Sequence, residues 1–167
     1  MDPLLSKSAP PTILVVDDSP DVRDILRLFL EDEGFRVLLA RDGREALRKA
    51  TMGVTVIILD VHMPGLDGLD ICKMLQESPC TKEIPVLILS ALGPQIAARA
   101  HHSGAYDWLS KPVRLGDLLV KVKALAKLVG WSGSLAARMA YSLELKAERA
   151  RQEQKDTETP RALCEGA

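Results

Sequence analysis

The sequence predicts an α/β protein: a doubly wound parallel sheet built from five consecutive (βα) units. Strand-like and helix-like patterns alternate five times in under 120 residues, the order expected of a parallel sheet with helices on both faces. The connections between them are only a few residues long. The run VTVIIL (54–59) is the most continuous apolar stretch, as a central parallel strand buried on both faces requires.

Each element follows from local signals. TILVV (12–16) is a β-branched run ending at Asp17-Asp18. Ser19 is placed to cap a helix with Pro20 at its first position, and Val22, Ile25, Leu26, Phe29 and Leu30 fall on one face of that helix to about Glu33. FRVLLA (35–40) reads as the second strand, and Asp42 caps a helix carrying Ala46, Leu47 and Ala50. After the central strand a short helix is expected from about Leu66 to Gln76. Strand four is VLILS (86–90), followed by a small helix over 94–103, strand five over Ala105 to Leu109, and a last helix from Leu115 to Val129.

The chain has 167 residues, net charge −1 and three cysteines, Cys72, Cys80 and Cys164. The near-neutral charge offers no field to draw nucleic acid or anionic lipid. Three cysteines without CxxC spacing argue against a disulfide framework or a zinc site; Cys72 and Cys80 are expected as core or near-core thiols. The start, MDPLLSKSAPP, lacks the basic and apolar regions of a signal peptide, and no apolar run reaches membrane-span length. The expectation is a soluble cytoplasmic protein with no nucleic-acid or membrane partner.

In open parallel sheets functional groups gather at the carboxyl ends of the strands. Here strand one ends in Asp17-Asp18, strand three in Asp60 and strand four in Ser90, while Lys111-Pro112 follows strand five. Singly, each has a plainer reading: a helix N-terminal charge pair, a turn residue, a core serine, a surface lysine. Their convergence on one sheet edge argues for a site. Clustered carboxylates repel unless a cation neutralises them, and a hard divalent ion with oxygen ligands, magnesium, suits the set. A lysine and a hydroxyl beside that metal would complete a cage for a phosphoryl group. One carboxylate would then be the nucleophile, and Asp60, alone on the central strand, is the best candidate. His62, in the turn after it, reads as a solvated histidine, since imidazole is a poor magnesium ligand.

VVDDSPDVR, ILDVHMPGLDG, LILSA and GAYDWLSKPV, in this order, together resemble the receiver domain of bacterial response regulators, from about Thr12 to Val129. The resemblance implies the flavodoxin-like strand order 2-1-3-4-5. It implies that Asp60 is the phosphoacceptor, that Asp18 ligates Mg2+ directly while Asp17 holds a coordinated water, and that His62 contributes its backbone carbonyl to the metal. Ser90 would bond the phosphoryl group, Lys111 would pair with it, and Pro112 would aim the lysine through a cis Lys-Pro bond. Trp108 stands where the family often has a smaller aromatic switch residue, and its larger ring is a departure that limits a full inward swing. The positions of His62 and Leu92 would tune the phosphoryl lifetime.

The implied function is a phosphorylation switch. A histidine kinase or histidine phosphotransfer protein donates the phosphoryl group, and a downstream protein target reads the result. It is not an enzyme acting on an external substrate. A phosphorylation-independent scaffold on the same fold is the rival, opposed by the intact set of acids, Ser90 and Lys111. A flavodoxin would need a phosphate loop where the chain has anionic DDSPD, and an aspartate-nucleophile phosphatase a second acid where it has His62.

The expected organisation is a flexible N-terminal segment (1–11), a receiver domain (12–129), a helical extension (130–154) and a disordered tail (155–167). Residues 130–154 are rich in helix formers. Ala136, Ala140, Leu143, Ala147 and Ala150 continue the spacing of Leu119, Val122, Ala126, Val129 and Gly133, the pattern of a homodimer seam. A solvated tail, or a linker in a longer regulator, is the other reading of the same stretch. The 38 residues after Val129 are too few for a second globular output domain.

Overall fold

A computed structural model describes residues 9–129. Its elements are β1 (Thr12–Val16), α1 (Pro20–Asp32), β2 (Arg36–Ala40), α2 (Gly43–Ala50), β3 (Val56–Asp60), α3 (Gly68–Glu77), β4 (Val86–Ser90), α4 (Ile96–His102, preceded by a 3-10 turn over Gly93–Gln95), β5 (Asp107–Ser110) and α5 (Leu115–Leu128). The five strands form one sheet in the order β2-β1-β3-β4-β5, every neighbouring pair parallel. The predicted fold class and strand order are both present.

Side chains alternate across a strand, so each strand feeds two cores. Leu14, Val16, Ile57, Leu59, Val86 and Ile88 pack under α2, α3 and α4 with Ala46, Ile71, Leu75 and Ile96. Ile13, Val15, Ile58, Leu87 and Leu89 pack under α1 and α5 with Leu26, Leu30, Leu118, Val122 and Leu125. Residues of β1, β3 and β4 are buried throughout, which accounts for their continuous apolar sequences.

Ser19 Oγ accepts the Val22 N–H with Pro20 at the first helical position, and Asp42 Oδ1 accepts the Glu45 N–H at 2.8 Å, so both caps stand where the sequence put them. Four elements start two residues later than expected. β3 starts at Val56 rather than Val54. β5 starts at Asp107 rather than Ala105, because the Ala105 N–H donates to Ala100 O and belongs to the exit of α4. α3 starts at Gly68, capped by Asp67, while Leu66 is exposed in the loop. The helix expected over 94–103 divides into a 3-10 turn and α4.

Two expectations are corrected. Val122 and Ala126, assigned to a dimer seam, are both 0% exposed, and half-buried Leu119 packs against the same core. That face of α5 already covers the chain's own sheet, for which the same apolar spacing serves; Val129, just past the end of α5, is exposed, and the seam positions from Gly133 onward lie outside the described residues. Cys80 is exposed, unlike buried Cys72, because it sits in the turn after α3 and not on its apolar face.

Candidate functional site

β1, β3 and β5 end on the same edge of the sheet, and four residues at or just past their ends meet there. One carboxylate oxygen from each of Asp17, Asp18 and Asp60 lies within 4.8 Å of the others. Lys111 Nζ is 2.8 Å from Asp60 Oδ1 and 3.5 Å from Asp17 Oδ2. Asp17 and Asp60 are each 2% exposed, whereas Asp18 is open to solvent.

The local chain holds these groups in place. Asp17 Oδ1 accepts the Ser19 N–H at 2.9 Å, and Arg23 Nη1 donates to the Asp17 carbonyl at 2.7 Å. This second anchor comes from α1; Arg23 closes the VVDDSPDVR motif, but its contact with the Asp17 main chain is not apparent from the sequence. Lys111 follows β5 through a cis peptide to Pro112, and its N–H donates to Ser90 O at 2.8 Å. Ser90 is fully buried at the end of β4, one residue past Leu89, the partner of Asp60 in the sheet register, and its Oγ accepts the Leu92 N–H at 3.1 Å.

The other predicted residues differ in burial. His62 is exposed in the turn after β3. Trp108 is half-buried and packs against the core under α2, α3 and α4. Pro112 is exposed and contributes to an apolar groove of about 390 Å³ with Val22, Ile25, Leu26 and Val113. Met63, by contrast, is buried in the turn.

Burial raises the Asp17 pKa above the usual carboxylate range; the Ser19 N–H and Lys111 oppose the shift, while Asp60 and Asp18 add to it. Burial works to lower the Lys111 pKa, but the hydrogen bond and charge of Asp60 and the charge of Asp17 outweigh it and hold the ammonium above its usual value. The cluster thus carries more negative charge than its one lysine balances. Asp17 Oδ2 and Asp60 Oδ1 are buried with the Lys111 ammonium as their shared cationic neighbour. Buried carboxylate oxygens in excess of the one ammonium beside them, all hard ligands, fit a small divalent cation such as Mg2+.

Comparison with known proteins agrees with this geometry. The response regulator receiver domain family matches residues 13–123. The chain is similar to response regulator MprA of Mycolicibacterium vanbaalenii, 41% identical over 122 residues that cover 71% of this chain and 51% of the relative. It is also similar to the transcriptional regulatory protein CpxR of Escherichia coli K12, 35% identical over 121 residues, 72% of this chain and 51% of that one. The chain therefore spans about half the length of the curated relatives it matches.

Among solved structures it resembles chemotaxis protein CheY4 of Vibrio cholerae, with TM-score 0.66, 35% identity and coverage of 70% of this chain and 99% of that one. It also resembles the signal receiver domain of a signal transduction histidine kinase from Syntrophus aciditrophicus, with TM-score 0.67, 35% identity and coverage of 75% and 96%. With its five-stranded parallel sheet, its acidic triad and this match over most of the described residues, the chain belongs to the response regulator receiver domain family, a phosphoacceptor signalling module rather than an enzyme with an external substrate.

Proposed function

We propose that Asp60 accepts a phosphoryl group from a histidine kinase or histidine phosphotransfer protein, with Mg2+ at the acid cluster, and that the phosphorylated chain signals through protein–protein contact. The observation that carries this reading is the pairing of buried Asp60 with Lys111 beside two further carboxylates. Asp17, Asp18 and Asp60 would hold the metal together with the main-chain carbonyl of His62. When bound, Mg2+ supplies positive charge that offsets the oxygens of the transferring group.

The chain's own residues do the rest. An Asp60 carboxylate oxygen attacks the phosphorus of a phosphohistidine; the new O–P bond forms as the P–N bond breaks, and the donor imidazole leaves with the electron pair. The Lys111 ammonium, held charged by the two acids, stays protonated and balances the added phosphoryl charge. Ser90 Oγ exchanges its bond to the Leu92 N–H for one to the phosphoryl group. Because the Lys111 N–H is bonded to Ser90 O, movement at β4 is passed to β5 and Trp108, which biases a two-state surface.

The test is incubation with acetyl phosphate and Mg2+, read by a phosphate-affinity gel. Wild type shifts and Asp60→Asn does not. Equal modification of the two proteins overturns the assignment.

A second reading concerns the whole protein. The curated relatives are about twice as long as the matched region, and one is named a DNA-binding dual master transcriptional regulator, from Synechocystis. That length difference supports the chain's acting as the receiver of a longer regulator, with 130–154 as linker; contact with nucleic acid would then belong to the added part. Among the described residues no helix is long and apolar enough to cross a membrane, in keeping with action in the cytoplasm.

A further inference from the structure

The start of α3 lies unusually close to the end of β3. A Cβ added to Gly68 would sit 2.2 Å from the Asp60 carbonyl oxygen, 2.7 Å from Val61 Cα and 2.9 Å from the Asp60 carbonyl carbon, where ordinary contacts begin near 3.4 Å. All three atoms are main chain, so no side-chain rotation relieves the overlap. Gly68 is not among the glycines with positive φ; what the position demands is space. The Gly68 N–H donates to Val61 O at 2.9 Å, closing the 61–67 loop on itself, and Asp67 Oδ1 accepts the Leu69 N–H at 2.8 Å to fix the first turn of α3.

Gly43, at the start of α2, shows the contrast. A Cβ there meets the outer atoms of the Ile71 side chain at 2.5 and 2.8 Å. One glycine makes room for a side chain, the other for the main chain that carries Asp60.

We infer that Gly68 is a positioning residue of the Asp60 site. Its missing side chain lets α3 clasp the carboxyl end of β3, which fixes both the Asp60 main chain and the closed loop that contains the His62 carbonyl. This rests on the reading of Asp60 as phosphoacceptor and metal ligand. An alanine at 68 has to push the end of β3 away by about 1 Å, and displacements of that size can cost on the order of a hundredfold in a positioned reaction. Close packing on both sides of β3 leaves no slack to absorb the shift locally.

The experiment compares Gly68→Ala, Gly43→Ala and Asp60→Asn in the full chain. It reads calorimetric Mg2+ affinity, phosphorylation rate with acetyl phosphate at saturating Mg2+, and the denaturant midpoint in chelator. Gly68→Ala is expected to weaken Mg2+ binding and slow phosphorylation, each by roughly tenfold or more. Gly43→Ala lowers the midpoint but keeps affinity and rate within about twofold of wild type, and Ile71→Val restores its midpoint.

The inference is overturned if Gly68→Ala binds Mg2+ and is phosphorylated within about twofold of wild type while Asp60→Asn is not phosphorylated. It is equally overturned if Gly43→Ala loses as much function as Gly68→Ala. Phosphorylation of Asp60→Asn would instead defeat the underlying assignment. If Gly68→Ala does not fold, Asp67→Ala takes its place, because it loosens the same junction without adding an atom. It should weaken Mg2+ binding several-fold, and unchanged affinity overturns the inference.

Discussion

Lys111 Nζ lies between two buried carboxylates, 2.8 Å from Asp60 Oδ1 and 3.5 Å from Asp17 Oδ2, and these three residues come from three different strand ends. The lysine is the cation that makes the acid pair tolerable inside the fold. Lys111→Ala leaves both carboxylates buried without it. Breaking a buried pair typically costs about 3–5 kcal/mol, and with the Lys111 side chain 31% exposed a loss of roughly 1–3 kcal/mol is expected. Denaturant unfolding in chelator measures it, and Mg2+ should recover part of the loss. An unchanged midpoint would show that the pair contributes nothing.

Asp17 gives a pH dependence of defined sign. Its folded pKa is raised, chiefly by burial, so the folded state binds the proton more tightly than the unfolded chain does. Its favourable contribution is full below the unfolded value near 3.8 and is lost as pH rises through the folded pKa. At neutral pH the charged group therefore opposes folding. Asp17→Asn, which keeps an oxygen to accept the Ser19 N–H, should stabilise the metal-free protein at pH 7 by about 1 kcal/mol and reduce the gain in midpoint on adding Mg2+. Melts at acid and neutral pH, with and without Mg2+, test this; destabilisation at pH 7 in chelator contradicts it.

The buried face of α5 predicts a stability effect without an association effect. Val122 is 0% exposed beneath the sheet. Val122→Ala should cost about 2 kcal/mol from lost burial and the cavity left behind, with no change in elution volume by size exclusion. Altered association at unchanged stability would return this residue to a seam.

The cysteines differ in a way a thiol reagent can read. Cys80 is exposed and Cys72 buried, and burial also raises the Cys72 pKa despite its hydrogen bond with Ser103. With Cys164→Ser as background, native protein should react rapidly at one thiol, and the second should appear only on unfolding. Rapid reaction of both would contradict the burial.

Most of the fold was legible because the determinants are local. The β1 and β4 boundaries and the Ser19 and Asp42 caps follow from apolar runs bounded by polar turn residues, and a short-range signal needs no tertiary information. The acid cluster was legible for a different reason. Parallel strands bring their carboxyl ends to one edge, so topology converts distant sequence positions into neighbours. The misreadings occurred where one apolar residue serves two elements. Ala105 is apolar like a strand residue but closes α4, and Val122 has seam-like spacing but packs on its own sheet. Arg23 at the Asp17 carbonyl and Gly68 against Asp60 were not legible. Both are contacts to main-chain atoms, and a main-chain partner leaves no residue type in the sequence to pair with.

The parallel sheet places Lys111 last among the residues of the charged cluster, on the chain after β5. A growing polypeptide exposes Asp17 and Asp60 well before it reaches the lysine that balances them, and β5 can dock only on a finished β4. The counter-charge therefore arrives with β5, the last strand in the sequence. A chain cut short before residue 111 would retain the acids and lack their counter-charge, so the site becomes balanced only once the edge strand β5 is in place.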